Sequence, residues 1–266
     1  MLESIKYVIE EHIANYRLMI KVALMDSKKQ TVRSSLGILW TYFHDILYMA
    51  VFILVRLMIA GNSEMMGMHS TVYLITGMIP WFFISDVLSQ GSMSIRSNKG
   101  IIQSIRFPAT LLPTISVMSI FVKRIFSFIL IFIISFGFGY AKNFHPLLFI
   151  YYMMCLLALC LAMNLVFSAV ITISEDFRQL YGSIIRVLIY TMPILWDFSR
   201  YTAIWPNVLL RINPMVYVVK GFRDAFVLGM TQDLLYSVYF WGCIVVIFAV
   251  GCFLQFKLKK FYADFV

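Results

Sequence analysis

Asp45, Arg56, Asp86, Lys123, Arg124 and Arg186 interrupt apolar runs long enough to cross a bilayer. A charge at the centre of a membrane helix costs roughly 2.5–3.5 kcal/mol even on lenient insertion scales, so such residues face a bundle interior or a water-filled path. Their chemistry is electrostatic: cations can hold phosphate oxygens, and carboxylates can neutralise those cations. Catalytic chemistry has no comparable support. There is no G-x-x-x-x-G-K-[ST] phosphate loop, so ATP hydrolysis by that route is excluded for this chain. His12, His44, His69 and His145 lie on different segments without metal-ligand spacing, and no G-x-S-x-G elbow occurs. The chain is expected to be a non-enzyme, with no metal and no cofactor of its own.

The elements that must position these charges are membrane helices. The chain has 266 residues, 61% of them hydrophobic and only 13% charged. Its mean hydropathy is +0.85, well outside the soluble globular range. That length leaves room for about six spans of roughly 20 residues in one bundle. The net charge of +9 forms no extended stripe of a nucleic-acid reader; the basic residues cluster beside the spans, as orientation in a membrane requires. Cys155, Cys160, Cys243 and Cys252 fall inside apolar runs with no CxxC spacing and read as small buried hydrophobes.

Residues 1–35 read as an amphipathic interfacial helix and its linker, and 36–266 as the membrane domain. Ile5, Ile9, Ile13, Tyr16 and Ile20 recur at steps of three or four and predict one helix over 3–23 with an apolar stripe. No signal-peptide core is visible in 1–35, so the first span is expected to direct insertion itself. Apolar blocks follow at about 36–60, 71–91, 111–140, 146–172, 183–197 and 235–256. The basic 92–110 loop and C-terminal tail predict that both termini are cytoplasmic. The external stretch 198–234 breaks the rule. It is basic but also apolar, and Pro206 and Pro214 punctuate it. Two short helices dipping back into the outer leaflet reconcile these facts, an ordinary folded external loop being the alternative. The fold class predicted is an all-α membrane protein with six transmembrane helices.

Three stretches together resemble the permease subunits of ABC exporters that move lipid-linked polysaccharides. The first is Ser35-Leu36-Gly37-Ile38-Leu39-Trp40. The second runs from Gly77-Met78-Ile79-Pro80-Trp81-Phe82-Phe83 through Asn98-Lys99-Gly100 to Arg106-Phe107-Pro108 and Leu111-Leu112-Pro113. The third comprises Asp176-Phe177-Arg178, Pro193-Ile194-Leu195-Trp196 and Ile212-Asn213-Pro214-Met215. Within the family the segments are most similar to those of wall teichoic acid exporter permeases, on Arg186-Val187-Leu188 and the ending Phe261-Tyr262-Ala263-Asp264-Phe265. Thr110 departs from the pattern, since many relatives carry an acidic residue there. The resemblance implies a plasma-membrane homodimer with two separate ATPase subunits that bind ATP and Mg. It also implies export of lipid-linked teichoic acid, with an O-antigen or capsular polysaccharide as the alternative cargo and a small lipid or drug less favoured.

It further implies a cytoplasmic coupling helix, placed at Asn98, Lys99, Gly100, Ile101, Ile102, Gln103 and Ser104, whose apolar residues would sit in a groove of the ATPase. A lipid pyrophosphate cargo needs cations, and Arg186, Lys123 and Arg124 are candidates. The alternative for each is snorkelling or pairing with Asp45 or Asp86. Counting helical rise from the two ends of the bilayer predicts an Asp86–Arg124 pair. Tyr42, Phe43, Trp81, Phe82, Tyr190 and Trp196 offer aromatic faces along which a polymer could slide, or simply anchor span ends at the interface. Arg211, Lys220 and Arg223 are expected near the external exit, meeting cargo phosphates or lipid headgroups.

Overall fold

A computed structural model describes residues 1–29, 37, 39–61, 64–98, 100, 107–197, 210–259 and 262. Every regular element among them is helical. The single N-terminal helix predicted over 3–23 is two, α1 (Leu2–Ala14) and α2 (Tyr16–Lys29). Asn15 makes the break: its backbone N–H and its side-chain amide both donate to the Glu11 carbonyl, closing α1.

The membrane helices are α3 (Leu39–Ala60), α4 (Ser70–Ser89), α6 (Leu112–Gly137), α7 (Pro146–Ile173) and α10 (Leu234–Leu258). A short α5 (Ser94–Ser97) continues α4. The five long helices meet the length and apolarity needed to span a bilayer. The sixth predicted block lies in α8 (Glu175–Thr191), which is shorter and amphipathic. Seventeen residues rise about 25 Å, enough to carry the chain from one end of the bundle to the other. Proline opens α6 and α7 within the first turn, where a missing N–H costs nothing.

Both termini lie at one end of the bundle. Tyr7 of α1 packs edge-on against Phe256 of α10 at 5.3 Å, and the Lys259 ammonium sits 3.4 Å over the Tyr7 ring. At the opposite end the chain folds back as α9 (Pro214–Arg223), capped by Asn213 accepting from the Met215 N–H at 3.0 Å. A π turn over Asp224–Leu228 follows and closes on Gly229 in the left-handed region (φ 62°). One short helix therefore stands in the stretch where two were predicted, folded back against the bundle; residues 198–209 fall outside those described. Phe226 anchors it, with its ring 4.8–5.4 Å from Phe132, Phe144 and Phe149.

The core sits around α4. Of its spanning window 78% is buried, against 11% for α3. The long helix is therefore an axle, and α3 a peripheral element with a broad exposed face. Close approach of α7 and α10 depends on Gly251, where an added Cβ would lie 2.7 Å from Leu165 Cβ.

Candidate functional site

The predicted Asp86–Arg124 pair is present. Arg124, only 5% exposed, sets Nη2 2.6 Å from Asp86 Oδ2 and donates from Nε to the same oxygen at 2.7 Å. Its Nη1 also meets Asp45 Oδ2, which accepts from Ser127 Oγ at 3.4 Å. One guanidinium thus ties α6 to both α3 and α4, under the Phe82 ring. A cation committed to two carboxylates has no free face for a diphosphate. Arg124 is therefore corrected from cargo contact to internal tie, because in a low-dielectric interior a buried charge is held by its nearest counter-charge. Lys123, half-buried next to it, interacts electrostatically with Asp26 and Asp86.

The aromatic candidates divide by exposure. Trp81 and Phe82, 3% and 9% exposed, are enclosed by their own chain and form no polymer-facing surface; a second subunit would only cover them further. Phe43 and Tyr190 are open. Tyr42 is half-buried, donates to the Lys123 carbonyl at 2.5 Å and leans on Phe126. Trp196 is half-buried and donates from Nε1 to the Tyr190 carbonyl at 3.2 Å.

Arg186 stands exposed on α8 and donates to Ser183 Oγ at 3.2 Å. Gln179, Ser183, Arg186 and Tyr190 are all exposed, and steps of four, three and four place them on one face of the helix. Tyr181, Ile185 and Ile189 form the buried face opposite. On α8 this polar stripe runs beside exposed Leu180, Ile184 and Val187, whereas the exposed residues of α10 include Leu234, Leu235, Val238, Val245 and Val246.

Of the three exit cations, Arg211 is exposed beside a recess of about 490 Å³ bordered by Ile212, Asp233, Tyr236 and Tyr239. Lys220 is half-buried near Asp224. Arg223 does not face an exit. It is 1% exposed, stacks 3.6 Å from the Tyr73 centroid, and donates to the carbonyls of Tyr73 and Pro193 at 3.3 and 2.6 Å. The physical reason is that the Pro193 and Ile194 carbonyls, just beyond α8, lack helical N–H partners and take the Arg223 guanidinium as a buried donor. Gly77 leaves room for it: a Cβ there would lie 2.5 Å from Arg223 Nη2.

In the coupling segment, Asn98 caps α5 by donating from Nδ2 to the Ser94 carbonyl at 2.8 Å, and Gly100 is exposed. Lys99, Ile101, Ile102, Gln103 and Ser104 lie outside the described residues.

The N-terminal helices carry a polar contact that the sequence reading missed. Thr110 donates to Glu11, so the position lacking the family's acidic residue takes its carboxylate from α1. One turn on, His12 Nε2 meets Thr114 Oγ1 at 2.7 Å while Nδ1 meets the Val8 carbonyl at 2.7 Å. Burial pushes the His12 pKa down, with the Val8 contact and Glu11 opposing. Tyr7 donates to Glu11 at 2.8 Å, and burial, then Glu11, pushes its hydroxyl up to about 12. The signal available beforehand was Glu11-His12 at the end of an otherwise apolar stripe.

These features define a multi-pass helical membrane protein with a buried ionic tie and a polar face on one membrane helix. The family model described as ABC-2 type transporter matches residues 19–227, and the chain belongs to that family. It is similar to the O-antigen export system permease protein RfbA of Myxococcus xanthus, 22% identical over 210 residues, covering 79% of this chain and 80% of that protein. A protein of the same name from Klebsiella pneumoniae is 23% identical over 257 residues, covering 94% and 95%. The chain is accordingly a transport component without a catalytic domain. Permeases of this family pair with ABC ATPase subunits, which carry the nucleotide site.

Proposed function

We propose that this chain is the membrane subunit of an ATP-driven exporter of a lipid-linked polysaccharide, working as two copies above two ATPase subunits. The observation that carries the reading is the Gln179–Ser183–Arg186–Tyr190 stripe on α8. Polar groups on a helix that crosses the membrane belong beside water or protein, so a seam between two copies accounts for the stripe, with Leu180, Ile184 and Val187 beside it toward lipid. The two relatives, O-antigen export permeases aligned over most of the chain, favour a glycan cargo. The polyol-phosphate polymer suggested by a few sequence segments has no such support.

In this reading Arg186 meets the pyrophosphate of the carrier lipid, through the bidentate contacts a guanidinium offers phosphate oxygens. Phe43, Tyr190 and Trp196 contribute contact along the seam. The end carrying both termini faces the cytoplasm, in keeping with its basic flanks. There residues 1–35 lie along the membrane surface and Asn98–Ser104 engage the ATPase. The chain reconstituted with its ATPase should hydrolyse ATP faster when lipid-linked neutral glycan is added, and Arg186→Ala should blunt that stimulation. Stimulation by polyol-phosphate polymer alone would return the cargo to the teichoic class.

A further inference from the structure

Between the far ends of α7 and α10 lies a recess of about 460 Å³ that none of the proposed export residues line. Tyr151, Tyr152, Tyr217, Thr231, Gln232 and Ser237 border it with Leu148 and Leu234, and no lining side chain is charged. Its volume is within the range of roughly 300–1,000 Å³ common to small-molecule sites.

The hydrogen bonds around it have a direction. Trp241 Nε1–H donates to the Tyr151 hydroxyl at 3.1 Å, and Ser237 donates to the Asp233 carbonyl at 3.2 Å. Between these ends, Tyr151 and Tyr217 oxygens lie 3.0 Å apart, and Tyr217 and Ser237 oxygens 2.8 Å apart. With a donor fixed at one end and an acceptor at the other, each hydroxyl proton along the chain points from Tyr151 through Tyr217 to Ser237. These three protons are used inside the protein, and what these hydroxyls offer the recess is lone pairs; Tyr152, which accepts from the Gln232 N–H at 3.4 Å, and Thr231 keep hydroxyl protons of their own. Gln232 adds another acceptor. It is 8% exposed, its amide Nε2 donates to the Tyr217 carbonyl at 2.8 Å, and its Oε1 has no partner among the described residues. A buried amide oxygen left unmade costs about 1–3 kcal/mol, so a donor belongs there.

We infer that this recess is a binding site for a neutral polyhydroxyl group, a sugar or polyol, whose O–H donors meet these acceptors. A polyol can both donate to the Gln232 oxygen and accept from the Tyr152 and Thr231 hydroxyls, whereas an anion would find no cation in the lining and an acceptor facing it at Gln232. The inference takes the far end as the outer face, and so rests on the export reading. There the same hydroxyl chemistry could come from a sugar of the emerging polymer or from a glycolipid headgroup.

The test uses the full-length chain in nanodiscs without ATPase or nucleotide, so it stands apart from any measurement of export. Maltotriose is titrated in solution, monoglucosyl diacylglycerol is supplied in the disc, and glycerol phosphate serves as the anionic comparison. Saturable binding of maltotriose is expected if the polymer is the source, and of the glycolipid alone if the headgroup is. Gln232→Met should weaken that binding about tenfold, the loss of roughly one hydrogen bond, as should Ser237→Ala. If Gln232→Met fails to fold, the exposed Thr231→Val decides, with several-fold weakening expected. Absence of saturable binding by either carbohydrate, binding undiminished in the variants, or preference for glycerol phosphate overturns the inference. Loss of ATP-driven export with binding intact would sink the export reading alone.

Discussion

At the scale of single residues, Arg124 matters for stability because it is buried and pairs with both Asp45 and Asp86. Removing one partner of a buried charge pair costs on the order of 3–5 kcal/mol, mostly because it leaves uncompensated charge behind. Arg124→Ala should therefore sharply lower the thermal stability of the detergent-purified chain. The triple variant Arg124→Leu, Asp45→Leu, Asp86→Leu should recover most of the loss, since well-packed apolar residues replace buried ions at little cost. Equal destabilisation by both variants would count against the tie. His12 gives the pH dependence. Its pKa in the docked helix is lowered from the ordinary 6.5, so docking favours the neutral ring. The contribution is full above that value and is lost as pH falls through it toward the lowered one, because the undocked helix then binds the proton more readily. Neighbouring Glu11 works against the effect without reversing its direction. Proteolytic nicking near residue 15 should increase below about pH 6 in the native chain, and His12→Gln should flatten that dependence.

At the scale of elements, the α7–α10 contact gives a clean experiment. A Cβ on Gly251 would fall 2.7 Å from Leu165 Cβ and 3.3 Å from the Val166 backbone nitrogen, whereas nothing lies within 4 Å of one on Gly242. Gly251→Ala must push two membrane helices apart, a strain of about 1–3 kcal/mol, while Gly242→Ala on the same helix should leave thermal stability within about 0.5 kcal/mol. The helices themselves were legible in the sequence, because apolar length is a one-dimensional signal. The Asp86–Arg124 pair was legible too: they enter their helices from opposite ends, and rise per residue brings them to one depth. Asp45 was not assignable as the third member, because rise gives depth and not which way α3 is turned. Arg223 was misread for a related reason. A basic residue after a stretch punctuated by prolines looks like surface, and only the fold shows the Pro193 carbonyl beyond α8 and the Tyr73 ring and carbonyl on α4 brought around its guanidinium. The break at Asn15 was hidden because the apolar stripe runs on through both helices.

At the scale of the whole molecule, the chain must turn a partner's motion into movement of its bundle. A rigid core around α4, with α5 following after a single 3-10 turn at Gly91–Met93, gives on the proposed orientation a stiff route from the ATPase side to the centre of the membrane domain. α3 and α8 are the elements with broad exposed faces, and both pack on that axle. Displacement of α4 would therefore alter the walls of a seam before it altered the buried core, which is close-packed and resists deformation. The decisive variant sits at the input end of this route. Ile101 and Ile102 are apolar residues in the basic 92–110 segment, which the proposed orientation puts on the cytoplasmic side, and they suit a groove on a soluble partner. Replacing both with Asp should leave insertion and thermal stability unchanged, because in the sequence they fall between the apolar blocks at 71–91 and 111–140 and in neither. Basal hydrolysis by the ATPase should persist, while cargo-dependent stimulation and export fall together by tenfold or more, as loss of two buried apolar anchors implies. Export at the native rate by this variant would move the coupling contact to another part of the cytoplasmic face, with the N-terminal helices as the next surface to test.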